Sequence, residues 1–191
     1  MSRLFRLTAL TTVALGFGSA TAQAEEPRFG LQVHASIPSG DLKTAVDNKP
    51  GAGLGAHVTF DLSGGHLIRP RFDAVLFPES DLSGFKTKAR DLSLGADYLY
   101  FPGGRPDGLY VTAGVGLHRW KVDRTTPALP PLWPASSDSQ ASSRFGYSAG
   151  LGYNFNRSVG VELRYTSSHY ANRTAWDPSA NSLQVGATYR F

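Results

Sequence analysis

Apolar and polar residues alternate along most of this chain with a period of two. The clearest segment is the last one. In Ser182-Leu183-Gln184-Val185-Gly186-Ala187-Thr188-Tyr189-Arg190-Phe191 every odd position is apolar or aromatic and every even one is small or polar. A strand turns successive side chains to opposite faces, so this segment has one greasy face and one wet face. The same period recurs in Phe29, Leu31, Val33, Ala35, Ile37, then in Ala52, Leu54, Ala56, Val58, Phe60, and again in Ile68, Pro70, Phe72, Ala74, Leu76. Leu92 to Tyr100, Leu109 to Leu117, Phe145 to Tyr153 and Val159 to Tyr165 repeat it. That makes about eight strands, each near the length of a tilted membrane-spanning strand.

Alternation alone also suits a soluble sandwich or lipocalin-like barrel. Three features favour a membrane barrel. The second face holds Arg69, Arg71, Asp73, Asp97, Glu162, Arg164 and Arg190 among many glycines, while the apolar face carries its large aromatics toward one end. With strands running up and down, Phe29, Phe60, Tyr98, Tyr100, Tyr153, Phe155, Tyr189 and Phe191 fall near one rim, as an interfacial aromatic girdle does. The connections alternate in length. Asp61–Gly65, Pro102–Gly108 and Phe155–Ser158 are tight, whereas Pro38–Pro50, Pro78–Ala89, Val122–Ser142 and Ser167–Asn181 are long. Short periplasmic turns and long outer loops make this pattern, with both termini on the periplasmic side.

Composition agrees without deciding. The 191 residues include 21 Gly, 11 Phe and 8 Tyr, and no Cys. Mean hydropathy is −0.22, because alternation dilutes the lipid-facing residues. No run approaches the roughly 18 apolar residues of a spanning helix. At the N-terminus Arg3 and Arg6 precede a mostly apolar stretch from Leu7 to Gly18, and Ala22-Gln23-Ala24 is a small-x-small cleavage site. Residues 1–24 are therefore expected to be a cleaved export signal and 25–191 the barrel. Without Arg3 and Arg6 the formal charge falls from +4 to +2, so the high isoelectric point is no sign of nucleic-acid binding.

Over roughly residues 27–191 the chain resembles the small eight-stranded outer-membrane barrels of the OmpA-like, OmpX-like and opacity-protein (porin family) type, with OmpW-like barrels the nearest competitor. The terminal Leu183-x-Val185-x-Ala187-x-Tyr189-x-Phe191 is similar to the C-terminal signal read by the barrel-assembly machinery. Gly53-Leu54-Gly55, Gly114-Val115-Gly116 and Gly150-Leu151-Gly152 are typical strand pieces. The resemblance implies a closed all-β, eight-stranded antiparallel up-and-down transmembrane barrel in a Gram-negative outer membrane. It also implies outer-membrane lipid and lipopolysaccharide as neighbours.

A barrel of this size is filled by side chains. Inward glycines at 53, 55, 95, 114, 116, 150, 152, 160 and 186 leave room for Arg69, Arg71, Arg164 and Arg190, which are expected to pair with Asp61, Asp73, Asp97 and Glu162. A buried charge without a partner costs several kcal/mol. Pro70 removes a ladder donor and predicts a bulge or a locally open pairing. A search for catalytic sets finds only His169, Asp177 and Ser179, with Ser167 and Ser168 nearby, in a serine-rich loop. His34, His57 and His118 face inward without a metal-binding spacing. The expectation is therefore no catalysis, no metal and no cofactor. The outer loops, each nearly charge-balanced, are expected to be poor at capturing polyanions. The stretch from Thr125 to Ser143, with Trp133, reads as mobile or extended. The function these readings favour is structural or surface-interactive, with a surface ligand met through the loops. A narrow channel and a lipid-modifying enzyme are the alternatives.

Overall fold

The computed structural model describes residues 26–82, 85–126, 136–170 and 178–191. Among them nine strands and one short helix follow in order: β1 (Arg28–Ser39), α1 (Gly40–Ala45), β2 (Gly51–Asp61), β3 (His66–Leu76), β4 (Ser80–Leu82), β5 (Phe85–Tyr100), β6 (Gly108–Thr126), β7 (Ser136–Asn154), β8 (Val159–His169) and β9 (Ser179–Arg190). Each strand pairs antiparallel with its neighbour. β3 and β4 both pair with β5, so they form one broken stave. β1 pairs with β9 from Gly30↔Arg190 to Ser39↔Asn181, which closes a barrel of eight staves. Closure pairs the backbone groups all round, as a strand structure in hydrocarbon requires.

The side chains sort as the alternation demands. Leu94, Val115 and Leu163 point outward with 66%, 69% and 38% exposure, whereas Arg69 and Glu162 are buried at 2% and 3%. The interior is thus ionic and the exterior apolar, the reverse of a soluble barrel. No helix among the described residues is long and apolar enough to cross a membrane.

Pro70 faces outward, opposite Ala96 of β5 in an unbroken ladder. On its other side the β2–β3 ladder runs to His57↔Arg71 and resumes at Phe60↔Ile68 in the same register. No residue is inserted, so there is no bulge. The pairing opens locally where proline has no N–H to give.

Three sequence expectations change. The outer connections are shorter than the turn residues suggested. β6 and β7 stay paired up to Thr126↔Ser136, and β8 and β9 up to His169↔Ser179. Serine and charged residues there continue the ladder, because the period of two outlasts the apolar run. Second, exposed aromatics are not confined to one end. Phe145, Tyr147 and Tyr165 on β7 and β8 lie toward the opposite rim, consistent with girdles at both interfaces. Third, the lumen is not polar throughout. Leu67, Leu99, Phe101 and Tyr110 pack inside near the short turns. At the other end α1 folds over the mouth, with Leu42 and Val46 fully buried on Val75, Phe77, Ala89, Trp120, Val122, Tyr170 and Ala180.

Candidate functional site: a sealed lumen and a cationic outer face

Between the two apolar plugs lies the ion network. Asp97 on β5 is its hub. Arg69 Nη2 donates to Asp97 Oδ2 at 2.8 Å, Arg164 Nη2 at 3.1 Å and Arg71 Nη1 at 3.4 Å. Each arginine has a second carboxylate. Arg69 reaches Glu162 at 2.8 Å, Arg71 reaches Asp73 at 2.5 Å, and Arg164 also pairs with Glu162. The register explains the convergence: Arg69 lies directly opposite Asp97, while Arg164 and Glu162 stand on β8 across the lumen.

Two residues expected in this network stand apart from it. Asp61 is half-buried at the start of the β2–β3 turn, where its Oδ1 accepts the Ser63 N–H at 2.7 Å. Arg190 is buried, yet among the described residues its side chain's one hydrogen bond goes to the Asn156 carbonyl at 3.5 Å. Two residues were missed. The Tyr110 hydroxyl donates to Glu162 Oε2 at 2.7 Å, and the Ser148 hydroxyl to Asp97 Oδ1 at 3.4 Å. Their inward parity was legible, but partners across a closed lumen are set by closure and not by sequence spacing. The inward glycines also make room for other groups than arginines. A Cβ at Gly114 would sit 2.0 Å from Asp97 Oδ1, and one at Gly152 would sit 2.3 Å from the Tyr110 ring.

The histidines are separated. His34 lies against Gly53, His57 against Gly30, and His118 bonds Asp91 at 2.7 Å. Among the described residues no three metal-ligand side chains come together. His169 ends β8 opposite Ser179. Ser179 is committed to α1, donating its N–H to Asp41 Oδ2 at 2.8 Å and its hydroxyl at 3.0 Å. These bonds hold the Asp41 carboxyl below the usual carboxylate range. Ser167 bonds Asn181, and Ser168 accepts the Trp120 N–H at 3.0 Å, so both serines have partners other than His169. Asp177 and Trp133 lie outside the described residues.

The girdle candidates Phe29, Phe60, Tyr98, Tyr100, Tyr153, Phe155, Tyr189 and Phe191 are all exposed on the outer wall, toward the end with the short turns. Leu183, Val185, Ala187, Tyr189 and Phe191 form the outward row of β9.

The opposite end holds a feature that counting charges loop by loop does not reveal. Lys86, Lys88 and Arg90 on β5, with Arg119 and Lys121 on β6, occupy outward positions just beyond the lipid-facing Leu92, Leu94, Val115 and Leu117. Two carboxylates pair with four of these five cations, and a third, Asp81, stands opposite Lys86 on the ladder. Glu79 bridges Lys86 at 3.4 Å and Lys88 at 3.2 Å, while Asp123 bridges Arg90 at 3.7 Å and Lys121 at 3.6 Å. Each loop is nearly neutral, but strand pleating sends the cations to one face.

The architecture defines a closed, side-chain-filled transmembrane β-barrel. Residues 10–191 match the family model described as outer membrane protein beta-barrel domain. The chain belongs to that family. A comparison with curated proteins finds no sequence match. Among solved structures, the chain is similar to Ail, the attachment invasion locus protein of Yersinia pestis, with TM-score 0.61 and 14% identity over 86% of this chain and 97% of that one. Ail in complex with the heparin analogue sucrose octasulfate gives 0.57 and 16%, over 86% and 97% of the two chains. The N-terminal β-barrel domain of Pseudomonas aeruginosa OprF gives 0.56 and 14%, over 88% and 100%.

Proposed function

We propose that this outer-membrane barrel acts at the cell surface as a structural and interaction protein, with lipopolysaccharide as its immediate partner. The observation that carries this reading is the cationic outward face of β5 and β6. It stands directly beyond the lipid-facing rows, at the height where a barrel wall meets headgroup phosphates. Arg and Lys are the natural hydrogen-bond donors to phosphate, and five cations against Glu79, Asp81 and Asp123 leave a net positive field. Arg119 makes no ion pair of its own among the described residues. That Ail takes a polysulfated ligand is in keeping with an anionic partner for this fold. The sealed lumen weighs against a channel, since apolar plugs stand at both ends of a paired ion network. The hydroxyls of Ser167, Ser168 and Ser179 are each engaged with a group other than His169, which weighs against the enzyme. Residues 1–24 serve as the export signal, the barrel-assembly machinery reads the outward row of β9, and the far end of the β6–β7 ladder meets a surface ligand.

The test reconstitutes the barrel in vesicles with and without lipopolysaccharide and counts co-purified lipopolysaccharide by its phosphate. The K88E/R119E chain is expected to retain several-fold less, with a steep loss in salt for the parent. Equal retention would remove the reading. In planar bilayers the parent is expected to show no stable conductance steps, and on expression no mass shift in lipid A.

A further inference from the structure

Four arginines point into this barrel, and three of them satisfy the rule that a buried charge finds an opposite one. Arg69, Arg71 and Arg164 each hold two carboxylates. Arg190 holds none. It is 6% exposed, its Nε has no partner, and its side chain's one hydrogen bond among the described residues is the long contact to Asn156. A cation this buried is costly without a counter-charge. Asp61 and Glu26 share a small cavity with it, yet neither forms an ion pair with it, and Asp61 Oδ1 is taken up by the β2–β3 turn.

Arg190 also lines a larger, open cavity of about 460 Å³ at the rim where Glu26 and Phe191 lie, together with Arg28, Arg157 and Ser158. Three guanidinium groups and one carboxylate border this space. Arg28 and Arg157 have contacts of their own, but a guanidinium carries five donors and one partner does not exhaust it. Short turns mark this rim as periplasmic. Phe191, 70% exposed on the lipid side, forms part of the same wall. The cavity therefore joins a buried cation, two further arginines and an aromatic anchor at the depth of the periplasmic headgroups.

We infer that Arg190, Arg28 and Arg157 form a site for the phosphodiester of a glycerophospholipid in the periplasmic leaflet. Arginine forks match phosphate oxygens two at a time, so one headgroup can engage Arg190 from the rim while its acyl chains run up beside Phe191. The bound phosphate supplies the counter-charge that the barrel's own carboxylates do not. The site is independent of the cationic face at the opposite end, and the Lys88 and Arg119 substitutions leave it intact.

The test is native mass spectrometry of the full barrel released from nanodiscs of equal parts phosphatidylglycerol and a phosphate-free galactolipid. All chains carry K88E/R119E, which removes the phosphate-binding outer face, and this background is expected to carry one phosphatidylglycerol in preference to the galactolipid. That preference should fall about tenfold in Arg190→Gln and in the Arg28→Gln/Arg157→Gln chain, the size of one lost charge-assisted bond. Folding of each variant is checked by migration on unboiled gels. If Arg190→Gln does not assemble, the Arg28→Gln/Arg157→Gln chain, whose changes lie outside β9, decides. Equal retention of both lipids, or a preference that survives in that chain, overturns the inference. Loss of the phosphatidylglycerol adduct in millimolar inorganic phosphate would assign the site to soluble phosphate and overturn the lipid as its occupant.

Discussion

Replacing Asp97 by asparagine should be among the most damaging isosteric changes in the barrel. Asp97 is 3% exposed and touches three guanidinium groups. The naive sum counts three broken pairs, but each arginine keeps a second carboxylate: Glu162 for Arg69 and Arg164, Asp73 for Arg71. The change therefore leaves one buried positive charge uncompensated. Breaking a buried pair on one side costs about 3–5 kcal/mol. The asparagine oxygen still accepts one hydrogen bond, which places the expected loss near the lower end, about 3 kcal/mol. Against a typical total stability of about 5–15 kcal/mol this is large. The assay is urea unfolding of the barrel in vesicles, followed by the mobility shift on unboiled gels. Arg69 and Arg164 share Glu162 while Arg71 keeps Asp73, so Asp97→Asn/Arg164→Gln leaves every remaining charge one partner and should recover part of the loss. Asp97→Asn stability within about 1 kcal/mol of the parent, with no recovery in the double variant, would refute the network as a cohesive unit.

Three further outcomes follow from the packing. Leu42→Ala should cost about 2–5 kcal/mol locally and speed hydrogen exchange and proteolysis across residues 40–50, leaving barrel migration on gels unchanged. The Asp41–Ser179 clip should depend on pH with a definite sign. The folded Asp41 carboxyl is held below its ordinary range, so the clip is complete above the unfolded carboxylate pKa and is lost as pH falls through the depressed folded one. Exchange of the α1 amides should therefore rise only in strong acid, and Asp41→Asn should remove that dependence. Gly152→Ala forces a Cβ into the Tyr110 ring and should cost about 1–3 kcal/mol in the same urea titration, with Tyr110→Ser relieving it.

The wall of the barrel was legible from the alternation in β9 and its repeats, because lipid on one side and ions on the other leave little freedom in side-chain parity. The filling was harder to read. Leu67 and Leu99 share the parity of their polar neighbours, so the pattern marks them as inward but not as plugs. α1 has only six residues and no periodicity long enough to announce itself; it exists because the mouth offers Leu42 and Val46 a place to bury. The arginines and carboxylates of the lumen could be enumerated, but which of them meet depends on how eight staves wrap. The cationic outer face was hidden for the same reason, since its members come from two strands and different loops.

The unequal stave lengths bear on what the outer end can do. β6 and β7 each run 19 residues, whereas β8 runs 11. At ~3.3 Å per residue the difference amounts to ~26 Å of continuous ladder standing proud of the shorter wall. Such a mast is stiff where a linker of equal length would sway, so a partner arriving at its far end meets a surface whose ordering cost was met during folding. Affinity there should respond more to notching the mast with glycine or proline than to exchanging polar residues along it.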